Sequence, residues 1–304
     1  MEKSVPRASL AVIGGSGFYH MEGISDVEEV HVSTPFGDPS DAITIGTLEG
    51  ERVAFLPRHG RGHRISPSEL NQRANIFALK TLGVERIISI SACGSMREDI
   101  RPLDVVIPDQ IFDRTRSRPS TFFGDGIVAH VSFADPFCPE LSALLYGAAA
   151  DILGPAEEGD DGHDARPPRA HRGGTILCIE GPQFSTRAES RIYRQWGVDL
   201  IGMTVIPEAK LAREAEICYA TLAFATDYDV WHETEDAVSV EMVVENLLRN
   251  VATARQILRA VVGHARHLPD CACRHALETA IITQRDAIPA TVRERLAPII
   301  GKYI

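Results

Sequence analysis

Long apolar runs and an excess of positive charge are both missing from this chain of 304 residues. No stretch reaches the roughly 18–20 apolar residues that a membrane-spanning helix needs, and the N-terminus carries no apolar signal segment. Acidic residues outnumber basic residues by 42 to 31, which gives a formal net charge of −11. Because no basic field exists to attract polyanions, we expect neither nucleic acid nor a membrane as a partner, and we expect a cytoplasmic location.

The composition is otherwise that of a globular protein, with 44% hydrophobic and 24% charged residues. Strand-like apolar runs alternate with helical patterns along the chain, which predicts one α/β domain with a central sheet. We place this domain at residues 1–265. A polar stretch rich in glycine and proline, at about 154–174, predicts a mobile insertion. Residues 266–304 are expected to form a C-terminal helical extension.

The six cysteines do not form a recognisable motif. Cys93, Cys138, Cys178 and Cys218 lie in or beside apolar segments, and are therefore expected to be reduced core residues. Cys271 and Cys273 form a C-x-C pair near the C-terminus. Without a second pair of cysteines or histidines this spacing leaves three alternatives: solvent-facing thiols, which we favour, a disulfide within or between subunits, and a metal ion.

Residues 175–204 predict two strands whose ends lie near each other. The apolar run at 175–179 is typical of a buried strand, 180–182 breaks it, and a helix capped by Ser185 or Thr186 follows. A second short apolar run ends at 201. The loops after the two runs hold an aromatic ring, hydroxyls and a thioether, which suit a flat, hydroxylated ligand such as a nucleoside: Phe184, Ser185, Met203 and Thr204. The alternative is an ordinary strand–helix unit whose loop residues only cap the helix.

Polar, ligand-ready residues also follow four predicted strands, at 14–17, 58–63, 91–95 and 226–229. Since open α/β sheets bind ligands at strand ends, their convergence predicts a site for phosphate and a nucleoside. The glycine-rich turn at 14–17 could present backbone N–H groups to phosphate. It lacks the full G-x-G-x-x-G pattern, because position 20 is His20, so a nicotinamide cofactor is a weaker alternative, and a plain tight turn is another.

Two of these strand ends carry ionisable side chains. Arg58 can grip an oxyanion bidentately, and His59 can supply a further donor; a solvated basic loop is the alternative. Asp227 and Asp229 follow a buried strand, where a carboxyl group can accept hydrogen bonds or act as an acid with a raised pKa.

With these motifs the sequence resembles the trimeric purine nucleoside phosphorylases. The resemblance runs through residues 9–262 and rests on 13–17, 34–37, 39–41, 58–61, His63, 92–95, 113–115, 136–139, 180–189, 202–204, 207–208 and 225–229. It implies one domain with a central mixed β-sheet flanked by helices. It also implies a homotrimer, or a dimer of trimers, with inorganic phosphate as a co-substrate and with neither a metal nor an organic cofactor.

The resemblance implies roles for individual residues. The phosphate contacts of the family fall on Ser16, Arg58, His59, Ser91, the backbone of Ala92, and Thr204. The nucleoside contacts fall on Met203 under the ribose, Phe184 beside the base, Asp227 and Asp229, and on His130, which would reach into the pocket of a neighbouring subunit.

Specificity is expected to depend on Ser185, Asp227, Val240 and Val244. Members specific for 6-oxopurines carry an acidic residue, Asn and His where this chain has Ser185, Asp227 and Val240. A carboxylate can accept a hydrogen bond from a 6-amino group, and an apolar wall near Val240 and Val244 suits a methylthio group. The resemblance thus implies reversible phosphorolysis of methylthioadenosine to adenine and 5-methylthioribose 1-phosphate, with Asp227 as the acid. Alternatives are phosphorolysis of adenosine, inosine or methylthioinosine, and a binding module without catalysis.

Overall fold

The computed structural model describes residues 7–14, 23–156, 166–232 and 240–304, without the side chains of Val240 and Met242. The strands within these ranges are β1 (Leu10–Gly14), β2 (Ser25–Val30), β3 (Ile43–Leu48), β4 (Glu51–Pro57), β5 (Arg86–Ser95), β6 (Val105–Ile107), β7 (Gln110–Arg114), β8 (Ala170–Arg172), β9 (Thr175–Ile179), β10 (Leu200–Gly202) and β11 (Cys218–Asp227). The helices are α1 (Gln72–Thr81), α2 (Pro139–Leu153), α3 (Arg187–Gln195), α4 (Val205–Glu214), α5 (Val240–Ala265) and α6 (Ala290–Ile300). Two short 3-10 helices, Ala272–His275 and Arg285–Ala287, lie between α5 and α6.

All these strands join one mixed sheet, as predicted. β5 is its centre: it pairs in parallel with β1 on one side and with β11 on the other, and its end pairs antiparallel with β10. β1 also pairs in parallel with β4. β1, β4, β5 and β11 therefore point the same way, and the residues that follow them meet at one edge of the sheet.

Helices cover both faces of the sheet, because alternate residues of a strand face opposite sides. In β1, Ala11 and Ile13 pack in one core cluster with α1, α4 and α6, whereas Leu10 and Val12 pack in another with α2 and α5. Every residue of β11 is buried, as expected of a strand covered on both faces.

The chain after α5 belongs to the same core. Leu296, Ile299 and Ile300 of α6 are buried in the cluster that contains α1 and α4. The backbone N–H of Leu277 donates to the carboxylate of Glu216 at 3.0 Å, beside the start of β11. The predicted boundary at residue 265 coincides with the end of α5, and the helix expected after Pro289 is α6.

The loop predicted at 154–174 is wrong for its last part. β8 pairs in parallel with β6, and His171 contacts Asp104 at 2.8 Å between Nε2 and Oδ2. Arg166 donates to the same carboxylate at 2.8 and 3.0 Å. These partners lie about sixty residues away, and a three-residue strand has no apolar run to reveal it. Residues 157–165 of the predicted insertion lie outside the described residues.

The cysteines divide into two groups. Cys93 and Cys178 are isolated in the core, as expected. Cys138, Cys218, Cys271 and Cys273 come together beside the start of β11. The expectation of solvent-facing thiols is wrong for Cys273, which is 3% exposed, because the segment after α5 folds back against the sheet. No helix in the described ranges is long and apolar enough to cross a membrane.

Candidate active site

A cavity of about 790 Å³ opens where β4, β5, β10 and β11 end, and α5 and the loop before α3 enclose it. The sequence-predicted residues that line it are Arg58, His59, Ser91, Ala92, Phe184, Ser185, Met203, Thr204, Asp227, Asp229 and Val244. The structure thus brings together residues from positions 58 to 244, and we call this cavity the pocket.

Three predicted site residues are not among its described lining. Ser16 lies outside the described residues, together with Gly15 and Gly17 of the predicted phosphate turn. Val240 begins α5, and its side chain is also outside the description. His130 is exposed away from the pocket, where its backbone N–H donates to the carbonyl of Ala280 at 2.9 Å. Its role in a neighbouring subunit therefore stays a prediction.

Arg58 is 1% exposed and is held almost entirely by the protein. Its Nε donates to Glu208, and its Nη2 donates to Glu208 at 3.2 Å and to Ser89 at 2.7 Å. Its Nη1 donates to the carbonyl of Ile90 at 3.0 Å. Since a guanidinium has five N–H groups, these contacts leave one N–H of Nη1 for a ligand. The Nε and Nη2 edge of the guanidinium, which was expected to bind an oxyanion bidentately, is occupied by Glu208 instead.

Arg58 also adjoins the predicted phosphate turn. Its backbone N–H donates to the carbonyl of Gly14 at 2.9 Å, because β4 and β1 are parallel neighbours that end together. Burial alone would lower the pKa of the Arg58 guanidinium, but the charge of Glu208 and the hydrogen bond to it together outweigh burial and raise the pKa. Arg58 therefore carries its charge inside the sheet edge, and Glu208 neutralises most of it.

His59 is neutral at physiological pH. Burial, followed by the nearby positive charge of Arg58, lowers its pKa to about 4. Its Nδ1 lies 2.9 Å from the carbonyl oxygen of Ile65, which can only accept, so Nδ1 carries the ring proton. The other nitrogen, Nε2, is then an acceptor rather than the donor expected from the sequence. The His63 ring stacks on the His59 ring, with 4.3 Å between the ring centroids.

Two hydroxyls complete this side of the pocket. Ser91 Oγ and Thr204 Oγ1 lie 3.0 Å apart. Thr204 is the residue before α4, yet its side chain makes no capping bond to that helix. Its hydroxyl is directed to Ser91 instead, and both residues line the pocket.

Two carboxyl groups, those of Asp227 and Asp229, also line the pocket. Thr226 Oγ1 donates to Asp227 Oδ2 at 2.7 Å, and the backbone N–H of Asp229 donates to Asp227 Oδ1 at 2.8 Å. Burial raises the pKa of Asp227 above its usual range, and these two hydrogen bonds only partly oppose that effect. Burial, together with the charge of Asp227, raises the pKa of Asp229 to about 6.

The position of Asp227 depends on a β-bulge and on a glycine. The register between β11 and β5 shifts between Ala225 and Asp227, and Asp227 lies opposite Gly94. Bulges of this kind redirect side chains beside active sites. A Cβ on Gly94 would lie 2.9 Å from Asp227 Oδ1 and 2.9 Å from Ile201 Cγ2. Only glycine therefore leaves room for the carboxyl group in this orientation.

Two polar atoms on this side have no hydrogen-bond partner among the described residues: Ser185 Oγ and Asp229 Oδ2, both buried. Ser185 is not the cap of α3, because Thr186 forms the capping box with Glu189. Ser185 is therefore available to the pocket. Unpartnered buried polar atoms are costly, and two of them lining one pocket indicate that a polar ligand pairs with them.

Apolar residues of α5 form a further part of the lining, which we call the apolar wall. Val243, Val244 and Leu247 of α5 line the pocket at helical spacing, and Phe184, 41% exposed, lies in the loop before α3. No polar side chain of α5 within the described part contributes to the lining.

Several residues that build the site had no role assigned from the sequence. Glu208 and Ser89 hold Arg58, and Gly94 makes room for Asp227. Arg118 connects the loops that follow β9 and β10, since it donates to the carbonyls of Glu180 at 2.5 Å and Met203 at 2.6 Å. Glu208 and Gly94 lie in matched motifs of the resemblance, which gave the sequence signal for them, whereas Ser89 and Arg118 had none.

Comparisons with known proteins agree with this geometry. Residues 9–263 match the model of the phosphorylase superfamily. The S-methyl-5′-thioadenosine phosphorylase of Gloeobacter violaceus is 55% identical over 304 residues, covering 99% of this chain and 97% of that protein. The Geobacter sulfurreducens protein of the same name is 56% identical over 296 residues, covering 97% of this chain and 99% of that protein.

Solved structures give the same result. A methylthioadenosine phosphorylase from an antarctic soil metagenomic library superposes with a TM-score of 0.88 at 50% identity, covering 96% of this chain and 99% of that chain. Methylthioadenosine phosphorylase from Schistosoma mansoni in complex with adenine superposes with a TM-score of 0.78 at 35% identity, covering 97% and 98% of the two chains.

Proposed function

This chain belongs to the phosphorylase superfamily, and from that premise we propose that it catalyses the reversible phosphorolysis of S-methyl-5′-thioadenosine to adenine and 5-methylthioribose 1-phosphate. The observation that carries the proposal is the pocket itself, whose lining combines a buried acid, a set of groups suited to an oxyanion and the apolar residues of α5. The names of relatives at 55–56% identity over almost the whole chain support it.

Phosphate binds on the side lined by Arg58, His59, Ser91 and Thr204. The free N–H of Arg58 Nη1 and one hydroxyl of the Ser91–Thr204 pair donate to its oxygens, since the proton of the other hydroxyl lies between Ser91 and Thr204, and Ala92 lines the same cavity. Because His59 Nε2 is an acceptor, it binds the protonated oxygen of the phosphate. These contacts aim one phosphate oxygen at C1′ of the sugar, and positioning of this kind is a large part of catalysis of group transfer.

The glycosidic bond breaks as the phosphate oxygen bonds to C1′. The electron pair of the C1′–N9 bond moves onto the purine, and protonated Asp227 donates at N7 as that charge develops. A general acid of this kind typically contributes about 10²–10⁴-fold. Overall, the proton that phosphate loses on forming its bond to C1′ is the proton that free adenine gains, so no other co-reactant is required.

Adenine is favoured over 6-oxopurines by the same carboxyl group. Asp227 can donate to N7 from one oxygen and accept from the 6-amino group with the other, whereas a 6-oxo group offers no hydrogen to accept. The unpartnered Ser185 Oγ and Asp229 Oδ2 offer further polar contacts to the nucleoside. A missing partner in a desolvated site costs about 1–3 kcal/mol.

The 5′ end of the nucleoside is proposed to lie against Val243, Val244 and Leu247. Full burial of a methylthio group there contributes about 1.5–3 kcal/mol, whereas a 5′-hydroxyl would meet no polar partner on the described wall. We further propose a homotrimer in the cytoplasm, in which His130 of one subunit reaches the pocket of the next.

A substrate panel tests the proposal. Methylthioadenosine, adenosine and inosine are each incubated with the protein, with and without phosphate, and base release is measured. We expect cleavage only with phosphate, and the highest kcat/KM for methylthioadenosine. A preference for inosine would overturn the assignment of Asp227, cleavage without phosphate would indicate a hydrolase, and binding without turnover would indicate a binding module.

A further inference from the structure

Four thiols form a compact cluster remote from the pocket. The Sγ atoms of Cys138, Cys218, Cys271 and Cys273 all lie within 4.8 Å of one another. Cys138, Cys218 and Cys273 are buried and Cys271 is partly buried. The proposed phosphorolysis uses none of them, since Cys218 begins β11 and Asp227 ends it, about 30 Å away along an extended strand.

Three distant segments build this cluster, and backbone hydrogen bonds fix two of them to the sheet. The N–H of Cys138, which precedes α2, donates to the carbonyl of Tyr219 at 2.8 Å. The N–H of Cys218 donates to the carbonyl of Glu85 at 2.9 Å. Cys271 and Cys273 come from the short helix after α5, which Leu277 and Glu216 join to the same region. The thiols are therefore held in place by surrounding backbone.

The distances fit a tetrahedron around one ion. Zinc binds thiolate sulfur at about 2.3 Å, so the four sulfurs of a tetrahedral site lie about 3.8 Å from one another. Cys271 Sγ lies 3.8 Å from Cys138 Sγ and 3.3 Å from Cys218 Sγ. A disulfide requires about 2.05 Å and joins one pair only, whereas Cys271 approaches two partners.

Positive charge near the cluster suits a site of net negative charge. Arg213 is 9% exposed. Its guanidinium donates to the backbone carbonyls of Ser132 at 2.8 Å and Asp135 at 2.6 Å, in the segment that leads to Cys138. Because these partners are neutral, the charge of Arg213 is available to a tetrathiolate.

We propose that Cys138, Cys218, Cys271 and Cys273 bind one zinc ion or a similar thiophilic divalent ion as a closed structural site. Four Zn–S bonds form, four S–H bonds break, and the four protons go to the solvent, so that neither oxidant nor reductant is needed. Four protein ligands leave no open position for substrate, as is typical of structural zinc. The ion joins the segment after α5 to the start of β11, and its binding energy therefore adds to the free energy of unfolding.

The test uses the full-length protein, freed of metal by a chelator under reducing, oxygen-free conditions, with Zn²⁺ or Co²⁺ as the probe. We expect one ion per chain, release of protons on binding, and the visible absorption bands of tetrahedral cobalt with thiolate charge-transfer bands. Zinc at about a thousand times its dissociation constant should raise the thermal midpoint by on the order of 10 °C.

Two variants test whether metal binding requires the cysteines of the cluster. The double variant Cys271→Ser, Cys273→Ser should lose the cobalt spectrum and the zinc-dependent rise of the midpoint. Cys178→Ser, which changes a buried thiol outside the cluster, should keep both. If the double variant does not fold, the metal titration of the unmodified protein still tests the proposal.

Thiol counting distinguishes the alternatives in protein that has never been reduced. A metal site predicts six reactive thiols after denaturation with chelator, the number that the sequence contains. Only two reactive thiols, with a mass lower by two hydrogens per bond, would indicate disulfides and overturn the proposal. Six thiols without stoichiometric binding of either ion would overturn it as well, and would make the cluster ordinary core packing.

Discussion

The two halves of the pocket are built in opposite ways. In the phosphate half, Arg58, His59, Ser91 and Thr204 are already held by protein partners. In the nucleoside half, lined by Phe184, Ser185, Asp227, Asp229 and the apolar wall of α5, two polar atoms, Ser185 Oγ and Asp229 Oδ2, lack a hydrogen-bond partner among the described residues. The first half is therefore organised before any ligand binds. In the second half Asp227 is already held by two hydrogen bonds, whereas Ser185 Oγ and Asp229 Oδ2 can gain partners only from a ligand. Substitutions in the first half should cost stability, and those in the second should mainly change activity and substrate preference.

The largest effect on stability is expected from Glu208→Gln. Glu208 is fully buried, and it is the charge partner of Arg58 as well as an acceptor for the Tyr219 hydroxyl at 2.8 Å. Removal of its charge leaves the Arg58 guanidinium buried without a counter-ion, which should lower the free energy of unfolding by about 3–5 kcal/mol. Denaturant titration measures this.

A matched control is Glu28→Gln, which breaks the surface pair of Glu28 with Arg52. That pair should contribute at most about 1 kcal/mol. Similar losses in the two variants would contradict the view that the phosphate half is held by a buried ion pair.

Gly94→Ala tests the nucleoside half. The new methyl group would meet Asp227 Oδ1 and Ile201 Cγ2, each at 2.9 Å, and should displace the acid. Overpacking of this kind costs about 1–3 kcal/mol, and we expect kcat to fall by about 10- to 100-fold because small displacements of catalytic groups are costly. Steady-state kinetics and thermal unfolding are measured together.

The control is Gly147→Ala in α2, where an added Cβ meets nothing within 4 Å. It should stabilise the protein by about 0.5–1 kcal/mol and leave kcat unchanged. If Gly94→Ala retained full activity, the position of Asp227 would not depend on this glycine.

His59 gives the phosphate half a pH dependence. Its pKa is about 4 in the folded protein and about 6.5 unfolded, so the unfolded chain binds more protons between these values. The neutral His59 ring therefore contributes fully to the free energy of unfolding above about pH 6.5, and this contribution is lost as the pH falls towards 4. Between pH 7 and pH 5 the unmodified protein should lose about 2 kcal/mol more stability than His59→Asn.

Urea unfolding at the two pH values measures this difference. Exposed His31→Asn serves as the control and should follow the unmodified protein. Equal pH dependence in the unmodified protein and His59→Asn would show that folding does not lower the pKa of His59, and would contradict the account of its burial beside Arg58.

The smallest effect is expected from Val244→Thr, which places a hydroxyl on the apolar wall. Because Val244 is 46% exposed, we expect KM for methylthioadenosine to rise only about three- to fivefold, with little change for adenosine. Leu248→Thr, one turn further along α5 and outside the pocket lining, should change neither. An equal rise for both nucleosides would place the 5′ group elsewhere.

The sequence predicted those parts of the site that are local to an apolar run. Arg58 follows β4, Ser91 lies in the second half of β5 and Asp227 ends β11, and parallel strands bring these positions together. The alternation of strand residues between the two helix layers could be predicted for the same reason. The choice between Ser185 and Thr186 as the cap was not, because either side chain can cap, and the capping box with Glu189 decides it.

Partners that are distant along the chain could not be predicted in this way. Glu208 lies 150 residues from Arg58, and its carboxylate changes what Arg58 can offer to phosphate. The bulge at Asp227 depends on the register with β5, which no local pattern encodes. The four-cysteine cluster joins three segments, so the C-x-C pair alone could not reveal its partners.

Asp227→Asn tests the central claim most directly. The variant keeps the size of the side chain but cannot donate a proton at N7, and its amide can pair with a 6-oxo group. With saturating phosphate, we predict that kcat/KM for methylthioadenosine falls by about 10²–10⁴-fold, while the ratio of methylthioinosine to methylthioadenosine cleavage rises. Undiminished cleavage of methylthioadenosine with an unchanged ratio would contradict the account.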